Sequence, residues 1–351
     1  MTNLRVAFTN VFFRPDGTPA FKGYDISPLK ARRNIEIKVL PQAPVISAAD
    51  LADIDVLVTS TGEAKVNGDS LTRGGRLALI ARAGAGYDDV DVSACTADHV
   101  AVAIASDAVR RPTAVGTLTL MLAVATRLID KHNISLKGPR EWSHLEDYAG
   151  IDLTGKTLGL VGLGSIGGEV ARLVAPLQMR IIAHDPMVKP DAAAALGAEL
   201  VGLETLLRQA DVVSLHVPLT EATRHLINAE RLGLMKSSAF LINAARGKVI
   251  DQKALVECLR ARRIAGAGLD VMEKEPPDED DPLLKLDNVV LSAHAIAWTE
   301  NLNARLADTN IKAIVAVAEG RDPAGVVNSE VLGTKIWREK LSRLRSISAQ
   351  P

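Results

Sequence analysis

Gly162-Leu163-Gly164-Ser165-Ile166-Gly167, with an acid, Asp185, 18 residues beyond the last of these glycines, is the part of the chain with the clearest chemistry. A G-x-G-x-x-G turn between an apolar strand and a helix suits a pyrophosphate. The first glycine permits the tight turn, the second lets the backbone approach the anion, and the third lets the helix pack close to the strand. Free N–H groups at the helix start face the negative charge. A carboxylate roughly 20 residues further on binds ribose hydroxyls and repels a 2′-phosphate. Pro186-Met187-Val188 supplies no arginine to reverse that preference, although Lys189 is near. The expected cofactor is NAD, held by Gly162, Gly164, Ser165, Ile166, Gly167 and Asp185. Three later segments carry groups that hold anions or move protons: residues 243–247 with Arg246, residues 268–277 with Asp270, Glu273 and Glu275, and residues 292–294 with His294.

Each of these groups needs an element to position it. β-Branched and apolar runs predict strands at residues 4–9, 35–40, 54–59, 77–82 and 100–105, with a short helix at 48–53. A second series predicts strands at 157–161, 180–183, 212–216, 239–243, 265–269 and 289–292, with helices at 167–178, 203–209 and 252–262. Strands alternating with helices imply parallel sheets covered on both faces. The expected fold class is α/β: two Rossmann-like, doubly wound parallel-sheet domains, the second with six strands. The three chemistry-bearing segments then follow strand ends, where open α/β sheets bind ligands. Long helices are expected at 113–131 and 301–318. The layout is discontinuous: residues 1–110 begin a substrate domain, 111–298 form an inserted nucleotide-binding domain, and 299–351 return to the first. The polar tail after Arg321, with Trp337, packs either on the N-terminal domain or on a neighbouring subunit.

Taken together, Gly84-Ala85-Gly86-Tyr87-Asp88-Asp89-Val90-Asp91, the glycine turn, Asn243-Ala244-Ala245-Arg246-Gly247-Lys248-Val249-Ile250-Asp251, Gly268-Leu269-Asp270-Val271 and His294 form a recognisable set. From about Ile54 to about Asn328 the chain resembles the D-isomer-specific 2-hydroxyacid dehydrogenases. The resemblance implies a catalytic set of Arg246, Glu275 and His294, with Glu273 as a competitor for the acid. It also implies that Val217, Pro218 and Ala244 line the cofactor by backbone and that Asp270 lies near the nicotinamide carboxamide. In the first domain, Ala83 and Gly84 open the loop that would hold the substrate carboxylate, beside Tyr87. The residue types suit reduction of a 2-keto acid. An arginine fork holds carboxylate and carbonyl with two hydrogen bonds. An imidazole delivers a proton to the developing alkoxide, and a carboxylate against it favours the protonated ring. His184 and His216 read as structural or cofactor-adjacent.

The chain departs from the family pattern in places. Arg111 and Thr117 stand where relatives commonly have Asn and Glu, with Arg110 and Pro112 alongside. At the expected interdomain crossover, the two arginines either read an extra anionic group or bridge the domains as salt-bridged structure. Ala293 precedes His294 where Pro is usual, and Ala295-Ile296-Ala297-Trp298-Thr299-Glu300 replaces a glycine-serine continuation. Trp298 either lines the substrate pocket or packs the hinge. These departures leave the substrate open, with D-3-phosphoglycerate or an oxyanion of the phosphite type as alternatives. Outside enzymes, the alternative is an NADH-sensing regulatory protein.

The 351 residues carry 41 Lys+Arg against 42 Asp+Glu, so no charge excess points to nucleic acid or an acidic membrane surface. Hydrophobic residues at 47% and charged ones at 24% match an ordinary globular chain. Cys95 and Cys258 lack ligand spacing for a metal and are too few for a disulfide scaffold, which suits a reducing cytoplasm. The first ten residues carry Arg5 inside their apolar stretch and no small-residue cleavage site, so no secretion signal is expected there. Residues 113–129 are apolar but end at Arg127, short of the roughly 20 residues a membrane span needs. This greasy helix is the expected face of a homodimer acting on a small 2-hydroxy or 2-keto acid.

Overall fold

The structure is a computed structural model and describes residues 3–60 and 64–348. Residues 1–2, 61–63 and 349–351, including both ends of the expected outer domain, lie outside this description. The chain divides into two compact units, Met1–Val109 with Thr299–Pro351, and Arg110–Trp298.

In the outer unit, β1 (Leu4–Phe8), β2 (Ile35–Val39), β3 (Val56–Ser60), β4 (Leu79–Ala83) and β5 (Ala101–Ile104) form a parallel sheet in the order β2-β1-β3-β4-β5. Helices Leu302–Ala318 and Lys335–Ser348 return to it, so the tail left open above packs on the N-terminal sheet. Trp337 is fully buried in the shared core and donates its indole N–H to Asp322 at 2.7 Å. Lys340 donates to the carbonyls of Leu77, Asp98 and His99, capping backbone groups at the amino ends of β4 and β5. Arg343 reaches the buried Asp55 at 2.8 Å. The polar residues of this tail thus satisfy groups that a purely apolar helix would leave buried without partners.

In the inner unit, the strands are β6 (Thr157–Val161), β7 (Arg180–His184), β8 (Ala198–Leu200), β9 (Val212–Leu215), β10 (Phe240–Asn243), β11 (Gly266–Leu269) and β12 (Val289–Leu291). All run parallel, in the order β12-β11-β10-β9-β6-β7-β8. The sheet has seven strands, not the six expected. The extra strand is β8, paired with β7 from Ile181↔Ala198 to Ala183↔Leu200. The order reverses between β6 and β9, which makes that boundary the topological switch point. β6, β9, β10 and β11 are buried throughout, as helices on both faces of a parallel sheet require.

The long helix expected at 113–131 is two helices, Ser106–Ala125 and Leu128–Leu136, bent by 63°. It starts earlier because Pro112 is accommodated within it. The break falls at Arg127, whose backbone is left-handed with φ 53°. That turn is held by the side chain itself. Arg127 bonds Asp130 at 2.8 Å and the carbonyl of Asp147 at 2.9 Å, and its guanidinium lies 4.6 Å from the Tyr148 ring centre. Among the described residues no single helix is long and apolar enough to cross a membrane.

Candidate active site

Because every strand of the inner sheet points the same way, the residues that follow the strands collect along one edge. Gly162 follows β6, Asp185 follows β7, Val217 and Pro218 follow β9, and Ala244 and Arg246 follow β10. Asp270 and Glu275 follow β11, and His294 follows β12.

The glycine turn has the shape its spacing requires. Gly162 has φ +95°, and a Cβ there would sit 2.7 Å from the carbonyl oxygen of His216. A Cβ on Gly167 would lie 2.2 Å from the carbonyl oxygen of Gly162. At Gly164 a Cβ would meet nothing within 4 Å, so the crest of the loop opens outward. The helix that follows, Ser165–Val174, begins two residues earlier than expected, and among the described residues no side chain caps its start. Its first N–H groups are therefore available to an anion. Asp185 accepts the Leu163 N–H through Oδ2 at 2.8 Å and the Met187 N–H through Oδ1 at 2.9 Å, which ties the acid to the loop. An uncapped helix start, an open loop crest and a tethered carboxylate fit a dinucleotide. His184 and His216 do not join the reacting groups. The His184 ring bonds the carbonyl of Val201, and the His216 ring bonds Ser214 Oγ at 2.9 Å. Burial pushes the His216 imidazole down to about 4.

At the β10–β12 end, His294 Nδ1 meets Glu275 Oε2 at 2.7 Å. Glu275 accepts the Met272 N–H through its other oxygen at 2.9 Å. Burial pushes the Glu275 carboxyl up, but the His294 hydrogen bond, the Met272 N–H and the charges of His294 and Arg246 outweigh it. The group is held below the usual carboxylate range. Glu273, the competing acid, faces elsewhere. It pairs with His225 Nε2 at 2.8 Å and accepts the Gln252 N–H at 3.1 Å. Asp270 is buried, and its Oδ1 accepts from Ser292 Oγ at 2.8 Å, Ala295 N–H at 2.9 Å and Ile296 N–H at 3.0 Å. It thereby holds the loop that carries His294, where Ala293 and His294 are both left-handed at φ 52° and 54°.

These features match known proteins. Residues 118–295 match the family model described as D-isomer specific 2-hydroxyacid dehydrogenase, NAD binding domain. The chain is 38% identical over 295 residues to a glyoxylate reductase of Korarchaeum cryptofilum, covering 83% of this chain and 88% of that one. The chain belongs to the D-isomer-specific 2-hydroxyacid dehydrogenases. It is an oxidoreductase that uses NAD. A D-3-phosphoglycerate dehydrogenase of Methanocaldococcus jannaschii is 42% identical over 296 residues, covering 84% of this chain but 55% of that longer protein. Among solved structures, the D-lactate dehydrogenase of Aquifex aeolicus complexed with NAD and lactic acid superposes with a TM-score of 0.77. It is 26% identical, over 92% of this chain and 99% of that one.

Three residues that shape loops named above were given no role of their own from sequence. Asn243, fully buried at the end of β10, accepts the Ala245 N–H at 3.0 Å and donates to the Arg246 carbonyl at 2.9 Å, bracketing the arginine turn. Gly247 packs so closely that a Cβ would lie 2.0 Å from the Met272 carbonyl carbon, which joins the Arg246 and Glu275 loops. In the outer unit, Arg82 is buried within β4 and donates to Ser60 O at 2.7 Å, Gly86 O at 3.2 Å and Asp89 at 2.9 Å. It ties the Ala83-Gly84-Ala85-Gly86 loop to Ser60 and Asp89. An arginine inside the otherwise apolar Leu79–Ala83 run was the available signal. Arg111 is tied to Glu169 at 2.7 Å, an ion pair within the inner unit and not the bridge between domains that was one of its expected readings.

Proposed function

We propose that the chain reduces a small, unphosphorylated 2-keto acid of the glyoxylate or hydroxypyruvate kind to the corresponding 2-hydroxy acid, the D isomer where the product is chiral, with His294 as proton donor. The carrying observation is the 2.7 Å His294–Glu275 contact beside the Arg246 turn, on the strand-end edge that also bears the dinucleotide loop. Arg246 binds the substrate carboxylate and carbonyl through its guanidinium fork. His294 gives its proton to the carbonyl oxygen as charge develops there, and Glu275 fixes the ring and offsets the imidazolium charge. NADH, when bound, supplies the hydride. In the oxidative direction His294 takes the hydroxyl proton. Ala83 and Gly84 offer backbone N–H groups to the substrate carboxylate. Val217, Pro218, Ala244 and Asp270 line the nicotinamide side of the cofactor, and Asp185 reads its ribose. Residues 1–110 with 299–351 serve the substrate and 111–298 the cofactor.

The Arg111–Glu169 tie favours an unphosphorylated substrate over phosphoglycerate, since that guanidinium already has a carboxylate. The same reading places the protein in the cytoplasm as a homodimer. Leu128, Ile129, Leu136 and Trp142 are exposed at 56%, 44%, 74% and 56%, and they supply an apolar face suited to a second copy. Steady-state oxidation of NADH against a panel of 2-keto acids, with His294→Ala as control, tests the chemistry. Turnover that survives in the variant removes His294 from its role. A monomer by light scattering at micromolar concentration rejects the dimer.

A further inference from the structure

We infer that Gly116 is a positioning residue for proton transfer, because the bare helix surface at this position is the seat of Ile296 and the fit sets where His294 stands. The inference rests on the proposed role of His294. A Cβ at Gly116 would lie 2.6 Å from Ile296 Cγ1, 2.9 Å from its Cγ2 and 2.8 Å from its carbonyl oxygen. One turn further along the same helix face, Leu120 lies against Gly268 of β11, so the helix meets the strand just before Asp270. Asp270 holds the His294 loop from the sheet side through the N–H groups of Ala295 and Ile296. Gly116 bounds it from the helix side. Between these two supports, Ala293 and His294 keep a left-handed backbone that side chains rarely adopt unaided. Ile296 lies in the stretch where this chain departs from the family pattern, so the seat is a feature of this sequence.

An added methyl group forces a defined movement. Ordinary contact begins at 3.4 Å, so Ile296 Cγ1 must retreat by about 0.8 Å. Turning the side chain does not relieve the carbonyl oxygen, which belongs to the backbone. The loop itself must shift, and His294 is two residues away. A misplacement near 1 Å costs on the order of a hundredfold in rate.

The test is Gly116→Ala in the full chain, alone and with Ile296→Ala, alongside His294→Ala. Alanine is the better helix former, which offsets part of the overpacking cost, so the single variant should stay folded and melt at most slightly below the parent. Its kcat for glyoxylate or hydroxypyruvate reduction should fall about 10- to 100-fold, with the NADH Kd from fluorescence titration within about twofold. In the Ile296→Ala background the same substitution should cost at least about twofold less, because the two side-chain contacts are gone and only the carbonyl oxygen at 2.8 Å still presses on the loop. Unchanged kcat in Gly116→Ala, or an equal loss in both backgrounds, overturns the inference. If Gly116→Ala does not fold, the double variant decides: a folded, active double supports the seat, and an unfolded one rejects it. Activity surviving in His294→Ala would instead mean that the proton-donor reading has failed.

Discussion

Glu275→Gln is the sharpest perturbation of the proposed chemistry, since it keeps the shape of the side chain and removes its charge. In the parent, one oxygen faces His294 Nδ1 at 2.7 Å and the other accepts the Met272 N–H at 2.9 Å. An amide can satisfy only one of these as acceptor, because its NH2 must face either the imidazole or the Met272 N–H. Exchanging a charge-assisted bond of about 1.5–3 kcal/mol for a neutral one of about 0.5–1.5 kcal/mol loses roughly 1–2 kcal/mol. The two side chains are about a third exposed, which places the loss toward the low end. At about 1.4 kcal/mol per factor of ten, kcat should fall roughly 5- to 10-fold, and more if the imidazole is held in the wrong tautomer. The keto acid KM should change little, since Arg246 and the Ala83–Gly84 loop are proposed to bind the carboxylate. Stopped-flow single turnover with NADH separates this step from product release. If the hydride-transfer rate stays within twofold of parent while His294→Ala is inactive, Glu275 does not act through the imidazole and the reasoning fails.

Three further expectations follow from the geometry. Gly247→Ala drives a methyl group into the Met272 carbonyl, so it should cost about 1–3 kcal/mol of stability by chemical denaturation and depress kcat/KM at least tenfold; a fully active, stable variant would show the two loops move independently. Asp185→Asn keeps an acceptor for the Leu163 N–H but drops the charge, so the NADPH-to-NADH ratio of kcat/KM should rise by about tenfold, or 1.4 kcal/mol; an unchanged ratio means another group reads the ribose. The His216 imidazole takes its proton near 6.5 when unfolded and near 4 when folded. Between those values the unfolded state binds more protons, so stability falls as pH drops from 6.5 toward 4, by up to about 3 kcal/mol. Melting curves across that range should show the loss, and His216→Gln should lack its share.

What the residues revealed in advance depended on how local the cause was. The β6-turn-helix segment was legible because a continuous apolar strand and the glycines act within a few residues of one another. β8 was not, since Ala198-Glu199-Leu200 is too short to show a period and pairs only along β7. The break at Arg127 was hidden because no glycine marks it; the left-handed turn is held by Asp130, Tyr148 and the backbone of Asp147, distant or unremarkable in the sequence. Glu273 and Glu275 have the same type and nearly the same neighbours. Only the fold shows that one faces His225 and the other His294. Arg111 likewise could not be distinguished from a substrate anchor until Glu169 lay beside it.

Residues 302–348 complete the outer core, with Trp337 among its fully enclosed side chains. During synthesis, therefore, the five N-terminal strands emerge without the two helices that cover one face of their sheet. The inner unit is contiguous and its whole sequence leaves the ribosome earlier. The order of folding on the ribosome is thus inverted: the middle of the chain matures while its beginning waits for its end. Translation halted near residue 300 would release a finished nucleotide fold carrying a sheet bare on one face, a species prone to association and to chaperone capture.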